Sequence, residues 1–201
     1  SMRFSNDKIE NDIVKITHCF PSHLREKVRK VVGILSIEKS GCIHAASYFV
    51  QFHGETLEFP YRVYFNEPRN TLEINLTEEE QVILDCIFLR HHNGYIRQRR
   101  LERLIDKRQP YIIPFTFQLL GECIKEILMI VDDHINDETM EEYIRFIKEN
   151  KKYAEQTENR MISYWDLYYR VEYPKRKRYI GQKTFDRLKK ELLLGKKKLS
   201  Q

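Results

Sequence analysis

Histidines and carboxylates are the residues of this 201-residue chain most suited to chemistry. His91 and His92 fall at a predicted helix–helix corner, with His134, Glu122, Asp132 and Asp133 further along. Brought onto one ion, such groups would make a metal-dependent hydrolase, so a His91/His92 site is one functional reading. Adjacent histidines point in different directions on a helix, however. Zinc peptidases space theirs at i and i+4 around a glutamate, and that pattern is missing. His18 and His23 bracket Cys19 across the Pro21 turn without a carboxylate or second cysteine at metal-ligand spacing. No nucleophile elbow, phosphate-cradling glycine loop or kinase motif occurs, and several of the seven glycines serve turns. The sequence assigns no catalytic, cofactor-binding or metal-binding residue, and no cofactor is expected.

The stronger pattern is basic and aromatic. Arg97, Arg99, Arg100, Arg103, Lys107 and Arg108 crowd one predicted helix. Tyr164, Trp165, Tyr168, Tyr169, Tyr173 and Tyr179 interleave with Arg170 and the run Lys175-Arg176-Lys177-Arg178. From Arg170 onward twelve Lys/Arg stand against Glu172, Asp186 and Glu191, a balance of +9. The formal net charge of +5 then leaves residues 1–169 at −4. Cations neutralise phosphates and ring faces stack bases, which is how single strands are held. The same residues equally dock a terminal helix and solvate it, and no RNP, KH or helix-turn-helix signature is present. The candidate anion or partner contacts are Arg97, Arg100, Arg103, Lys107, Arg170, Lys175, Arg176, Lys177, Arg178, Tyr169 and Tyr173. The leading expectation is a non-enzymatic binding or scaffold module that recognises a protein partner. Nucleic-acid association through the basic, Tyr-rich C-terminal segment is the alternative, and the His91/His92 hydrolase the second alternative.

The elements that position these residues read as an α+β fold, mainly helical. Ile9, Ile13, Ile16 and Phe20 predict a helix over about residues 6–19, ended by Pro21. Leu24, Val28, Val31, Val32 and Leu35 predict a second helix, closed at Ser40-Gly41. Alternation then replaces the helical period: Tyr48, Val50 and Phe52, a turn at His53-Gly54-Glu55, and Leu57, Phe59, Tyr61, Val63 and Phe65. With a third strand at Leu72, Ile74 and Leu76, residues 43–76 are expected to form a three-stranded antiparallel meander. Thr77 and Glu80 read as a capping box opening the next helix, which stops at Asn93-Gly94. A short helix follows from Tyr95 to about Asp106, with Arg97, Leu101, Leu104 and Ile105 inward. The centre of the fold is expected at Pro110–Ile135, one buried helix that is enclosed to Leu120 and half-exposed beyond Gly121. Its apolar-rich stretch, Tyr111–Leu120, is ten residues, against about 20 for a membrane span.

After a helix carrying Met140, Tyr143, Ile144 and Ile147, the apolar period fades between Asn150 and Asn159. A break or exposed stretch is predicted there, before inward-facing Met161, Ile162, Trp165, Tyr168 and Tyr169. A last helix is expected near Thr184–Leu194, with a fraying lysine-rich end. The chain thus divides into a main domain, 1–169 (helix pair 3–42, meander 43–76, helical layer 77–169), and a basic tail, 170–201.

The residues RHHNGYIRQRRLERLI, Arg90–Ile105, resemble the joint of a HEAT-type helical repeat. In that family an isoleucine or valine followed by arginine opens the second helix, and Ile96 and Arg97 match. The resemblance implies that Arg97 bonds across the turn between helices. Arg100 and Arg103 depart from it, since the family prefers small residues there. The longer block Arg90–Glu122 is similar to that of an uncharacterised bacterial family of hypothetical proteins, a likeness that implies no activity.

Cys19, Cys42, Cys86 and Cys123 are scattered, with no C-x-x-C pair and mostly apolar neighbours. Reduced, buried thiols are expected rather than a disulfide frame. Ser1-Met2 reads as a cloning remnant, and with no charged-then-apolar leader after it the expected location is cytoplasmic.

Overall fold

The computed structural model describes residues 2–35, 37 and 41–200. The chain is mainly helical, with a small two-stranded antiparallel sheet, and falls into two compact units that meet in sequence at Leu104/Ile105. Among the described residues no helix is long and apolar enough to cross a membrane. The expected closing turn at Ser40 lies outside the described residues.

The first unit holds α1 (Met2–Thr17), α2 (Arg25–Val32), β1 (Ser47–Phe52), β2 (Glu55–Pro60), the single-turn α3 (Asn70–Glu73), α4 (Glu78–Phe88) and α5 (Gly94–Glu102). The predicted stripe of α2 is buried at Leu24, Val28, Val31, Val32 and Leu35, and α2 lies against α1 and α4. At the start of α4 the capping box forms: Glu80 N donates to Thr77 Oγ1 and Thr77 N to Glu80 Oε1, both at 3.2 Å. Lys30 Nζ adds an ion pair to Glu80 at 2.9 Å.

The hairpin turns on two residues at positive φ, His53 (48°) and Gly54 (82°), as a tight antiparallel connection requires. Val50, Phe52, Leu57 and Phe59 fill one buried face. β2 ends at Pro60, which has no N–H for the ladder. Beyond it Val63 makes only isolated bridges, to Ile43 and to His91. Arg90, at the end of α4, is buried and donates to Pro60 O (3.3 Å) and Tyr61 O (2.6 Å), while Val63 N donates to Arg90 O (2.9 Å).

The expected third strand is not formed. Asn70–Glu73 is a helical turn, Ile74 is 82% exposed, and Glu73 is the residue drawn inside. The alternating Leu72, Ile74 and Leu76 lost to one carboxylate with buried cationic and amide partners. Arg100 Nη1 donates to Glu73 Oε1 at 2.6 Å, and Gln81 Nε2 at 2.7 Å.

The second unit contains a 3-10 turn (Pro110–Ile112), α6 (Ile113–Leu119), α7 (Lys125–His134), α8 (Met140–Glu149), α9 (Lys151–Tyr164), a π-helical segment (Trp165–Tyr169), a 3-10 turn (Arg176–Arg178) and α10 (Ile180–Leu199). The expected single helix over 110–135 is therefore two helices with a break at 120–124. Its first half is enclosed as predicted: every residue of α6 is buried. α7 buries Ile127, Leu128, Val131 and His134. Gly121 lets α9 approach closely, since a Cβ there would stand 3.0 Å from Arg160 Nε and 3.2 Å from Thr157 Cγ2.

Between Asn150 and Asn159, expected to hold a break or an exposed stretch, there is no break: Lys151–Tyr164 is continuous helix, much of it exposed, and its buried face consists of Ala154, Thr157 and Met161, with little apolar bulk to mark it. α10 is also longer than predicted, and it is a packed element that contacts α7, α8 and α9. At Gly181 a Cβ would meet Met161 Cγ at 2.5 Å, so only glycine allows this approach of α10 to α9. Arg187 donates to Ile135 O (2.6 Å) and Asp132 O (2.8 Å), satisfying carbonyls that the end of α7 leaves open.

Candidate binding surface

The basic helix α5 turns its arginines to structural use. Arg97 is buried and donates from Nη1 to His91 O (2.8 Å) and His92 O (3.0 Å), across the turn joining α4 to α5. Arg100, 2% exposed, meets Glu67 (2.9 Å), Glu73 (2.6 Å) and Asp85 (2.9 Å), with Phe88 beneath its guanidinium at 4.9 Å. Arg103 reaches Glu73 at 2.9 Å and Asp85 at 3.4 Å, and Arg99 pairs with Glu67. Three arginines thus face three carboxylates, with Arg100, Glu73 and Asp85 buried at the centre and Arg99 and Arg103 at the exposed edge. Burial pushes the Asp85 carboxyl up to about 6 despite its guanidinium neighbours. Burial also works against ionised Glu73, but there the Arg100 hydrogen bond prevails and holds the carboxyl below its usual range. Arg97 and Arg100 therefore present no guanidinium to an external anion. Lys107 belongs to the second unit, where its carbonyl accepts from His134 Nε2 at 2.8 Å.

The histidines are similarly occupied. Asn93 N donates to His91 Nδ1 at 3.1 Å, which leaves Nε2 as the protonated nitrogen, donating to Phe65 O at 2.9 Å. Burial lowers the pKa of this ring. His92 is exposed beside Tyr64. In the second unit His134 donates from Nε2 to Lys107 O and accepts at Nδ1 from Tyr143 Oη (2.7 Å), which in turn contacts Thr116 Oγ1 (2.6 Å). Burial lowers the His134 pKa as well. Among the described residues no group of three or more His, Cys, Asp or Glu is placed to hold a metal ion. The four cysteines are free thiols; Cys19 and Cys86 are buried and Cys42 and Cys123 partly so.

The aromatic residues before α10 divide between inside and outside. Tyr169 Oη donates to Cys123 O (2.6 Å) and accepts from Lys125 N (3.2 Å), so it clasps the break before α7. Trp165 Nε1 donates to Tyr173 O at 2.9 Å. Tyr179 is buried and stacked on Tyr169 at 5.1 Å. Tyr173 lies beside it at 5.7 Å and its hydroxyl contacts Lys125 Nζ at 3.4 Å. Tyr168, expected inward, is instead 61% exposed, as are Leu167 (68%) and Val171 (95%). The π-helical turn widens the helix by a residue and sets this division.

Of the tail cations, Arg170 pairs with Asp166 at 3.0 Å, and Arg176 lies over the Trp165 ring at 5.7 Å while donating to Gln182 Oε1 at 3.0 Å. Lys175, Lys177 and Arg178 are exposed, and the side chains of all three lack ion-pair or hydrogen-bond partners among the described residues.

A groove of about 510 Å³ runs between α8, α9 and α10. Ile147, Ala154, Phe185 and Leu188 form its floor, with Leu192 further along, and Lys148, Lys151, Lys189 and Lys196 line its edge with Glu155 and Glu158. Lys189 pairs with Glu158 at 2.6 Å. Lys148, Lys151 and Lys196 have no carboxylate partner among the described residues. Sequence reasoning missed this groove because it passed over α9 as a helix. The usable signal was Ala154, Thr157 and Met161 at helical spacing, and beyond Thr184 the row Leu188, Leu192, Lys196 on α10. No protein-family model, no curated protein and no solved structure matches this chain.

Proposed function

We propose that the chain is a non-enzymatic binding module whose second unit receives an acidic, amphipathic segment of a protein partner. The groove between α8, α9 and α10 carries this reading. Its volume lies within the range of small-ligand and side-chain pockets. Its floor is apolar, and its uncompensated cations, Lys148, Lys151 and Lys196, outnumber the uncompensated Glu155. Helix-in-groove recognition uses this combination, apolar anchors below and complementary charge at the edge. Arg97, spanning the α4–α5 turn, supports the likeness of Arg90–Ile105 to a HEAT-type joint, a scaffold for protein contacts.

Peptide selection from a random displayed library, with the full chain as bait, tests the reading. Acidic amphipathic sequences are expected to be enriched, and their affinity is expected to fall by about tenfold or more in Lys151→Glu/Lys196→Glu. Enrichment without acidic character, or affinity unchanged in that variant, overturns it.

One observation favours a second reading. The uncommitted Lys175, Lys177 and Arg178 offer phosphate contacts for a nucleic acid. The aromatic half of that reading is weaker, because Trp165, Tyr169 and Tyr179 are engaged inside the unit.

A further inference from the structure

We infer that the segment Leu167–Arg178 is a contact site for an anionic lipid surface, separate in its residues from the groove. The π-helical segment commits Trp165 and Tyr169 to the interior and leaves Leu167, Tyr168 and Val171 more than half exposed. Exposure of 95% means that Val171 projects from the unit; it does not line a cleft. Tyr164 is stacked on Tyr168 at 6.1 Å, which holds that ring at the surface.

The following turn lies against the same helix. Trp165 Nε1 bonds to Tyr173 O, and Arg176 covers the Trp165 ring. Lys175, Lys177 and Arg178 follow Val171 by four to seven residues, in a turn that these contacts hold against the helix. The nearby carboxylates are already neutralised, Asp166 by Arg170 at 3.0 Å and Glu172 by Lys125 at 2.8 Å. Three cations therefore remain for an external anion.

The chemistry of the projecting residues selects the occupant. A nucleic acid gains from ring faces and cations, but Leu167 and Val171 offer it neither. A protein partner would have to offer an apolar patch shaped to these three side chains together with carboxylates placed for the three cations. A bilayer surface admits aliphatic and tyrosyl side chains singly at the headgroup boundary, while anionic headgroups meet the cations.

The test is flotation of the full chain with phosphatidylcholine vesicles, with and without phosphatidylserine, alongside a single-stranded oligonucleotide. Binding is expected only to the phosphatidylserine vesicles, weakening as salt rises. Leu167→Ser/Val171→Ser is expected to lower it by about tenfold or more. Lys175→Glu/Lys177→Glu/Arg178→Glu is expected to abolish it, and Lys151→Glu/Lys196→Glu to leave it unchanged, which separates this site from the groove. These exposed substitutions should leave the circular dichroism melting curve in place. Failure to bind phosphatidylserine vesicles overturns the proposal, as does binding indifferent to Leu167→Ser/Val171→Ser. Oligonucleotide binding lost only in the charge-reversed variant, without vesicle binding, assigns the cations to nucleic acid instead.

Discussion

In α5 and at its end, Arg99, Arg100 and Arg103 all meet carboxylates; in the turn before α10, Lys175, Lys177 and Arg178 meet none among the described residues. Both stretches are dense in positive charge, so density does not decide whether a cation becomes structural. Carboxylates delivered by other elements do. Glu67 arrives from the loop after the hairpin, Glu73 from α3 and Asp85 from α4; Arg100, Glu73 and Asp85 are shut away from water, and Glu67 closes the cluster from a partly exposed position. Near the second stretch the available carboxylates are spent on Arg170 and Lys125.

The sharpest way to break this contrast is Arg100→Ala, which leaves Glu67, Glu73 and Asp85 crowded and short of a cation. A loss of about 3–5 kcal/mol is expected from urea unfolding followed by circular dichroism. A loss comparable to that of a surface substitution would mean that the cluster is hydrated and unimportant.

A smaller, pH-dependent effect sharpens the picture. The Asp85 carboxyl, held up to about 6 by burial, binds its proton more readily folded than unfolded. Its protonation therefore favours the fold as pH falls from 7 to 5, and this contribution disappears as pH rises through about 6. The stability advantage of the unmodified chain over Asp85→Asn should accordingly grow from pH 7 to pH 5. Taking the difference cancels the opposing contribution of His91, whose lowered pKa makes acid unfavourable. A difference independent of pH would place the Asp85 pKa in the ordinary carboxylate range.

The smallest effect belongs to the exposed turn. Single alanine substitutions at Lys175, Lys177 and Arg178 are expected to change stability by no more than about 0.5 kcal/mol each, read from the same urea curves. A larger loss at any of them would reveal a structural partner and weaken its claim to an external one.

Local chemistry was legible in the sequence and remote chemistry was not. The Thr77/Glu80 capping box, the His53-Gly54 hairpin, the α2 stripe and the enclosed first half of Pro110–Ile135 all rest on residues a few positions apart. The third strand failed because Arg100, 27 residues further on, draws Glu73 inward. α9 escaped notice because small and polar Ala154 and Thr157 carry its buried face. The break after Leu119 depends on Tyr169, about 45 residues away, which bonds to Cys123 and Lys125. At the candidate site the abundance of cations was visible from the start. Which of them stay uncommitted was not, because that depends on carboxylates arriving from other elements.

Arg90 bears on the order in which the first unit assembles. Its guanidinium bonds to carbonyls of Pro60 and Tyr61, 30 and 29 residues earlier, in a position closed to water. Closing a loop of that length has an entropic cost before any contact repays it, and a guanidinium stripped of water without both carbonyls would be worse than one left hydrated. The end of α4 and the exit of the hairpin therefore gain little by docking in stages. Docking them together is expected to be one cooperative, non-local event, slower than the closing of the unit's helices.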